Sequence, residues 1–240
     1  PKNKARKGEL GVKKIAPKNF VASAHADSDL CASRVLMEPL APMHIAPADG
    51  ENEALAKSLS DFSKDHSVDR LEDFLQKFPK SRWYAAVALN VAQLLYEQGY
   101  FSRSLSLWDE IWKQSKDEKS SLQKHIADEA ISRLLVLDGR LGKTEELDRL
   151  LTEIKSRPMY GTAELRVHEA KDGLLAQQHR PGKSFKCGPC SINSLLNIGH
   201  KTPTLNKTVD KTDSTKNGTN LAQVKDLADK VGLHYQLARR

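Results

Sequence analysis

Cysteine is scarce: Cys31, Cys187 and Cys190 are the three in 240 residues. Three thiols do not make a disulfide framework, and they do not specify a compartment. No run of about 18 apolar residues exists, so no membrane-spanning helix is expected. The N-terminus is basic but lacks an apolar stretch behind it, so no signal peptide is visible. The chain opens on Pro1 rather than Met, which implies either removal of a Met or a piece of something longer. Aromatics are 6% of residues and are not interleaved with the basic runs, so a nucleic-acid partner has no motif to rest on. No second Cys pair and no close His pair accompanies Cys187 and Cys190, so a zinc site lacks its four ligands. Neither metal nor cofactor is expected.

What is present is enough for one or two domains. Hydrophobic residues make up 39% and charged residues 29%, which permits a core. The net charge of +7 is uneven. Lys2, Lys4, Arg6, Lys7, Lys13, Lys14 and Lys18 face only Glu9, and Arg180, Lys183 and Lys186 form a second basic run. Both runs read as solvated chain.

Residues 1–48 read as an extended or disordered segment that packs on nothing as an independent domain. They carry Pro17, Pro39, Pro42 and Pro47 and no sustained periodicity. Within them, Leu36-Met37-Glu38-Pro39-Leu40 is a patch able to pack on a neighbouring domain. From Glu51 the period becomes helical. Leu55, Leu59 and Phe62 mark a first helix, and Val68, Leu71, Leu75 and Phe78 a second that stops at Pro79. Trp83, Val87, Val91, Leu94 and Leu95 mark a third, broken at Gly99, and Phe101, Leu105, Trp108 and Trp112 a fourth. A fifth carries Leu122, Ile126, Ile131, Leu134 and Leu135 to Gly142, a sixth Leu147 to Ile154, and a seventh spans roughly 162–178. Trp83, Val87, Val91, Leu95, Leu105, Trp108, Ile111, Leu134 and Leu151 are expected to share one core.

Gly99 and Gly142 stand 43 residues apart, each between two apolar helices, which is self-similarity at solenoid scale. The run from Phe78-Pro79-Lys80-Ser81 through Gly99-Tyr100-Phe101 to Trp108 resembles a tetratricopeptide repeat. Ser104 stands where that family usually has Ala, and Ala92 where its first helix has Gly. The resemblance implies a helical-repeat domain over 49–178 that binds a protein or peptide partner.

The breaker-rich link His179-Arg180-Pro181-Gly182-Lys183-Ser184 opens a new unit. In Cys187-Gly188-Pro189-Cys190, Pro189 suits the first position of a helix, which puts Cys187 at or just before the N-cap. There the helix dipole favours its thiolate, while Cys190 falls one turn in, on a face expected to pack. Further on, Asn220 and Gln223 form a capping-box start, Gly232 is a C-cap candidate, and Leu233–Ala238 alternates like a strand.

Two chemistries fit these residues. The string Cys-Gly-Pro-Cys resembles the thioredoxin redox motif, in which Cys187 attacks and Cys190 resolves the mixed disulfide. The wider order resembles the first half of the papain-like cysteine peptidases that process bacteriocin leaders, and their relatives in bacterial Rhs/YD-repeat proteins. The matching residues are Cys187, Gly188 and the helix to Leu196, then Gly218-Thr219-Asn220-Leu221, Leu227-Ala228, Gly232-Leu233 and the strand to Arg240. That resemblance implies Cys187 as the nucleophile in a truncated papain-like α+β domain over 179–240. The family's oxyanion Gln lies a few residues before the Cys. Pro181 stands there, so Gln178, beside Gln177, is the candidate. The family's catalytic His lies beyond the strand, past residue 240, so this chain is expected to be inactive as it stands. His200 and His234 read as surface or packed residues. The expected fold is therefore mainly α, a tetratricopeptide-like solenoid followed by the first part of a papain-like domain. The other function in view is a non-catalytic protein-interaction module with a peptidase-like remnant.

Overall fold

A computed structural model describes residues 26–215 and 217–238. The basic run over 2–18 lies outside them. Among the described residues the chain is mainly helical and holds no β-strand, and no helix is long and apolar enough to cross a membrane. It divides into two compact units. The first ends at Leu107 and takes in Lys119–Gln123, and the second comprises Trp108–Glu118 and everything from Lys124 on.

The first unit holds α1 (Asp27–Cys31), α2 (Glu51–Asp65), α3 (Asp69–Lys77), α4 (Tyr84–Glu97) and the opening turns of α5 (Phe101–Ser115). Leu55, Leu59 and Phe62 of α2 and Leu71, Phe74 and Leu75 of α3 are buried, as their spacing requires. α4 is buried over the whole run Ala85–Ala92, the pattern of a helix packed on all sides. Its end is a Schellman turn. Gly99 (φ +85°) donates to Tyr96 O at 3.0 Å and Tyr100 to Leu95 O at 2.9 Å. Ala92 is fully buried. So is Ser104, whose hydroxyl donates to Tyr100 O at 3.2 Å and is thereby satisfied. Leu105 is only half-buried.

Residues 26–48 correct the expectation of a segment that packs on nothing. They lack regular secondary structure for most of their length, but α1 opens the segment and Leu30, Leu40 and Ala41 are buried. Polar bonds fasten the backbone. Glu38 N–H donates to Asn90 Oδ1 at 2.9 Å, and Asn90 Nδ2 donates to Glu38 O at 3.2 Å. Met43 N–H donates to Arg82 O at 2.7 Å, and Gln123 Nε2 to Pro42 O at 2.6 Å. Beside it, the buried Glu51 carboxylate accepts from Ser81 Oγ at 2.7 Å and Arg82 Nε at 2.8 Å. Arg82 also reaches Asp27 at 2.7 Å, and Trp83 Nε1 donates to Asn52 at 2.8 Å. Periodicity reports apolar faces. It is blind to an irregular chain held by side-chain amides.

The second unit holds the end of α5, then α6 (Ser121–Leu141, from Lys124 on), α7 (Thr144–Glu153), α8 (Gly161–His179), α9 (Pro181–Ser184), α10 (Cys187–Leu196), α11 (Lys207–Lys211) and α12 (Leu221–Lys230). Its buried charges are paired. Glu129 accepts from Arg133 at 2.5 Å, Arg166 at 2.7 Å and Thr162 at 3.0 Å. Asp128 accepts from Lys124 and Arg157, and Arg157 stacks over Trp112 with 5.1 Å to the ring centroid. α6 ends in the same turn as α4. Gly142 (φ +71°) donates to Gly139 O at 3.2 Å and Lys143 to Asp138 O at 2.9 Å. Trp108, Ile111, Leu134 and Leu151 are buried in this unit, whereas Trp83, Val87, Val91 and Leu95 belong to the first. Of the nine residues expected in the core, all but Leu105 are buried.

α10, α11 and α12 close around Ile192, Val209, Leu227 and Ala228, with Leu196, Val224, Val231 and Leu233 at the edge. The capping box at Asn220 and Gln223 is present, with both bonds at 2.9 Å. Gly232 and Leu233 close α12 in a third Schellman turn, at 3.1 and 2.8 Å. Residues 233–238 are not a strand. A strand needs a neighbour to pair its backbone, and among the described residues only an isolated bridge, Thr215 to Gly218, occurs.

Leu95→Ala removes a side chain that is 2% exposed, so it should destabilise the first unit by about 2–5 kcal/mol in urea unfolding. A change within about 0.5 kcal/mol would place Leu95 outside the core. Asp138 is 1% exposed, with Lys143 Nζ 3.1 Å away. Burial pushes its carboxyl above the ordinary 3.8, against the pull of Lys143. A carboxyl raised by folding contributes stability below its unfolded value and loses it as pH rises through the folded one. The stability difference between wild type and Asp138→Asn should therefore shift as pH rises from 3.8, with the wild type losing ground. A difference that stays flat with pH would show that Asp138 ionises freely.

Candidate functional site

Lys186 is the N-cap of α10 and Cys187 its first residue, so the thiol sits at the helix mouth. Pro189 therefore stands third rather than first. Its missing N–H still costs nothing, because the amides of the first turn have no intrahelical acceptor. The first intrahelical bond runs from Cys190 N–H to Lys186 O at 2.8 Å. Of the amides ahead of it, those of Cys187 and Gly188 remain at the helix mouth.

Two close contacts fix this turn. Phe185 lies on Gly142: a Cβ there would meet Phe185 Cε1 at 2.7 Å. Gly188 lies against the start of α12: a Cβ there would meet Val224 Cγ2 at 2.8 Å and Thr219 Cβ at 3.1 Å. Pro189 and Ile192 point inward and are buried, while Cys187 and Cys190 are both exposed and free. The expectation that Cys190 packs is corrected: the buried face of α10 is carried by Pro189 and Ile192.

The loops around α10 are held by side chains. Asn197 bonds Thr204 in both directions, at 2.7 and 2.9 Å. Asn193 Oδ1 accepts from Asn206 N–H at 2.9 Å, and Asn206 caps α11. Ser214 N–H donates to Gly182 O at 3.0 Å, and its hydroxyl lies 2.9 Å from Thr219 Oγ1. Lys183 and Lys186 are not merely solvated chain. Lys183 pairs with Asp213 at 2.7 Å, and Lys186, largely buried, donates to Asp210 O at 2.7 Å. The Lys183 hydrogen bond holds the Asp213 carboxyl below its ordinary value. Arg180 is exposed.

The other residues assigned from sequence are not gathered at Cys187. Gln178 is exposed on the last turn of α8, with α9 between it and α10. Its neighbour Gln177 closes the α6–α7 junction, donating to Gly139 O at 2.6 Å and lying 3.1 Å from Thr144 Oγ1. His200 follows the far end of α10, a helix of ten residues and about 15 Å from end to end. His234 follows the far end of α12, and its Nδ1 lies 3.7 Å from Asp229. Phe185, Thr219 and Val224 support the site, yet sequence reasoning gave them no role there. The signal was Gly188 itself, since a glycine inside a helix marks a close approach.

In the first unit, a separate cleft of about 490 Å³ is lined by Leu75, Gln76, Tyr84, Ser102 and the ion pair of Glu72 with Arg103. Among the described residues no cluster of three or more His, Cys, Asp or Glu could hold a metal ion.

Gly188→Ala should strain the α10–α12 contact. Val224 is β-branched and stiff in a helix, so overpacking of about 1–3 kcal/mol should exceed the propensity gain of about 1 kcal/mol. Hydrogen exchange should quicken in α10 and α12 and stay unchanged in α4. Equal protection of α10 and α12 in both proteins would show that the contact is slack. No protein-family model matches the chain, and neither the curated proteins nor the solved structures contain a match.

Proposed function

We propose that this chain is a thiol peptidase-like protein, with Cys187 as the nucleophile and the helices from α2 to α8 as a tetratricopeptide-like region that holds a protein or peptide. The observation that carries the reading is the setting of Cys187. It is exposed at the first position of a helix whose opening turn is held on both sides, by Phe185 on Gly142 and by Gly188 on Thr219 and Val224. A fixed nucleophile meets a carbonyl without the cost of ordering itself. Its sulfur would add to a peptide carbonyl, and the amides of Cys187 and Gly188 stand where a developing oxyanion needs donors. Neither His200 nor His234 stands where it could take the proton, so the thiol gives it to water before the sulfur attacks, and Gln178 is dropped from the oxyanion role.

The repeat reading draws support from the matching turns at Gly99 and Gly142 and from the buried small residues Ala92 and Ser104. The cleft beside Glu72 and Arg103 is where we place the bound segment. One observation favours a non-catalytic interaction module instead: among the described residues, no histidine stands at Cys187.

Alkylation by iodoacetamide separates the two. Cys187 should label faster than Cys190, because it stands at the first position of the helix, beside the amides of Cys187 and Gly188 that have no intrahelical acceptor. Cys187→Ala should abolish the fast phase and Cys190→Ala should leave it. Since both thiols are exposed, equal rates would remove the case for a nucleophile and favour the interaction module.

A further inference from the structure

We infer that the cleft of the first unit takes a basic segment of another protein, with one Lys or Arg side chain of that segment replacing Arg103 on the Glu72 carboxylate. The choice of cleft rests on the proposed function. The charge of the segment rests on the ion pair itself.

The two partners of that pair stand unequally. The Glu72 side chain is 17% exposed and that of Arg103 is 54% exposed. Glu72 belongs to α3, beside the buried Leu71 and Leu75. Arg103 stands in the opening turn of α5, with its guanidinium 5.9 Å from the centroid of the exposed Tyr100 ring. A carboxylate held that far from water is costly to leave without a cation. Arg103 loses less, because it is open to water and keeps the face of Tyr100. A cation brought by a ligand can therefore take over the carboxylate and release Arg103. An acidic ligand would have to draw Arg103 away and would leave Glu72 unpaired.

The surroundings carry the same sign. Asp69, Glu72, Asp73 and Gln76 recur at the spacing of one helix face, and Asp69, Asp73 and Gln76 are exposed. The approach to the cleft along α3 is therefore acidic. Of the two cations on α3, Arg70 is drawn to Asp65 at 3.0 Å, and Lys77 lies over Phe78 with 5.6 Å to the ring centroid. The remaining walls suit a peptide rather than a lone ion. Leu75 and Leu107 offer apolar contact beside the carboxylate, and Gln76, Ser102 and Ser106 offer partners to a ligand backbone. A volume of about 490 Å³ falls within the range of about 300–1,000 Å³ usual for ligand clefts. All of these lining residues belong to the first unit.

The test uses the full chain and three fluorescein-labelled peptides that differ in one central residue between two leucines: Arg, Gln or Glu. Anisotropy should show the Arg peptide bound about tenfold or more tightly than the Gln peptide, with the gap narrowing as salt rises and the Glu peptide weakest. Glu72→Gln keeps the shape of the side chain and should erase the preference for Arg. Arg103→Gln, at an exposed position, should tighten binding of the Arg peptide, because the competing cation is gone. An Arg preference that survives Glu72→Gln, or that falls away in Arg103→Gln, would overturn the inference. Preference for the Glu peptide, lost in Arg103→Gln, would also overturn it but leave a segment in the cleft, so the proposed function would stand. Binding of none of the three would overturn both. Arg peptide bound only after the Lys and Arg residues of 2–18 are changed to Gln would put the chain's own segment in the cleft. A dimer in light scattering that Glu72→Gln dissolves would put a second copy there. Either result overturns the choice of another protein. If the Arg peptide binds as expected but Cys187 and Cys190 label equally, the basic segment stands and the nucleophile assignment falls.

Discussion

Phe185 rests on Gly142, Gly188 rests on Thr219 and Val224, and Cys187 stands in the chain between them. Both contacts exist because a side chain is missing. At Gly142 the glycine also supplies the positive φ that ends α6. At Gly188 the backbone is ordinary helix, and the demand is purely steric. Together they tie the first turn of α10 to the α6–α7 junction on one side and to the start of α12 on the other. That gives an exposed thiol a fixed position.

Buried charge organises the rest of each unit. Glu51 would be costly to bury alone, and Ser81 and Arg82 meet it with short bonds. Arg82 then reaches Asp27, so the same network that satisfies Glu51 anchors α1. In the second unit, Glu129 gathers Arg133, Arg166 and Thr162, and so joins α6 to the first turns of α8. These networks orient helices more than they stabilise them, since an apolar replacement of a buried pair is often neutral. The exposed pair Lys183–Asp213 contributes little. The position of that segment owes more to the backbone bond from Ser214 to Gly182.

Local signals in the chain were legible. Apolar spacing placed one helix at each of α2 to α8, because an amphipathic face is written directly in the side chains. The capping box at Asn220 and the turn at Gly232 were readable for the same reason: each is closed by residues a few positions apart. The strand over 233–238 was misread because alternation states what a strand would bury and not whether a neighbour exists to pair with it. Cys190 was misplaced because one turn of helix has too few residues to define its buried face.

By itself, then, the sequence determined the run of helices from α2 to α8 with α10 and α12, and the chemical types present: a Cys-Gly-Pro-Cys turn at a helix mouth, with no further ligands near it in the chain; the short α1, α9 and α11 carry no periodicity and escape it. Tertiary structure alone decided that Cys187 and Cys190 are both accessible, that Gln177 closes a helix junction, that His200 and His234 stand away from the thiol, and that residues 26–48 are packed. The physical reason is range. Hydrogen bonds within a turn depend on neighbours in the chain. Exposure, steric approach and the pairing of buried charge depend on residues dozens of positions away, whose arrival at the same place no local pattern encodes.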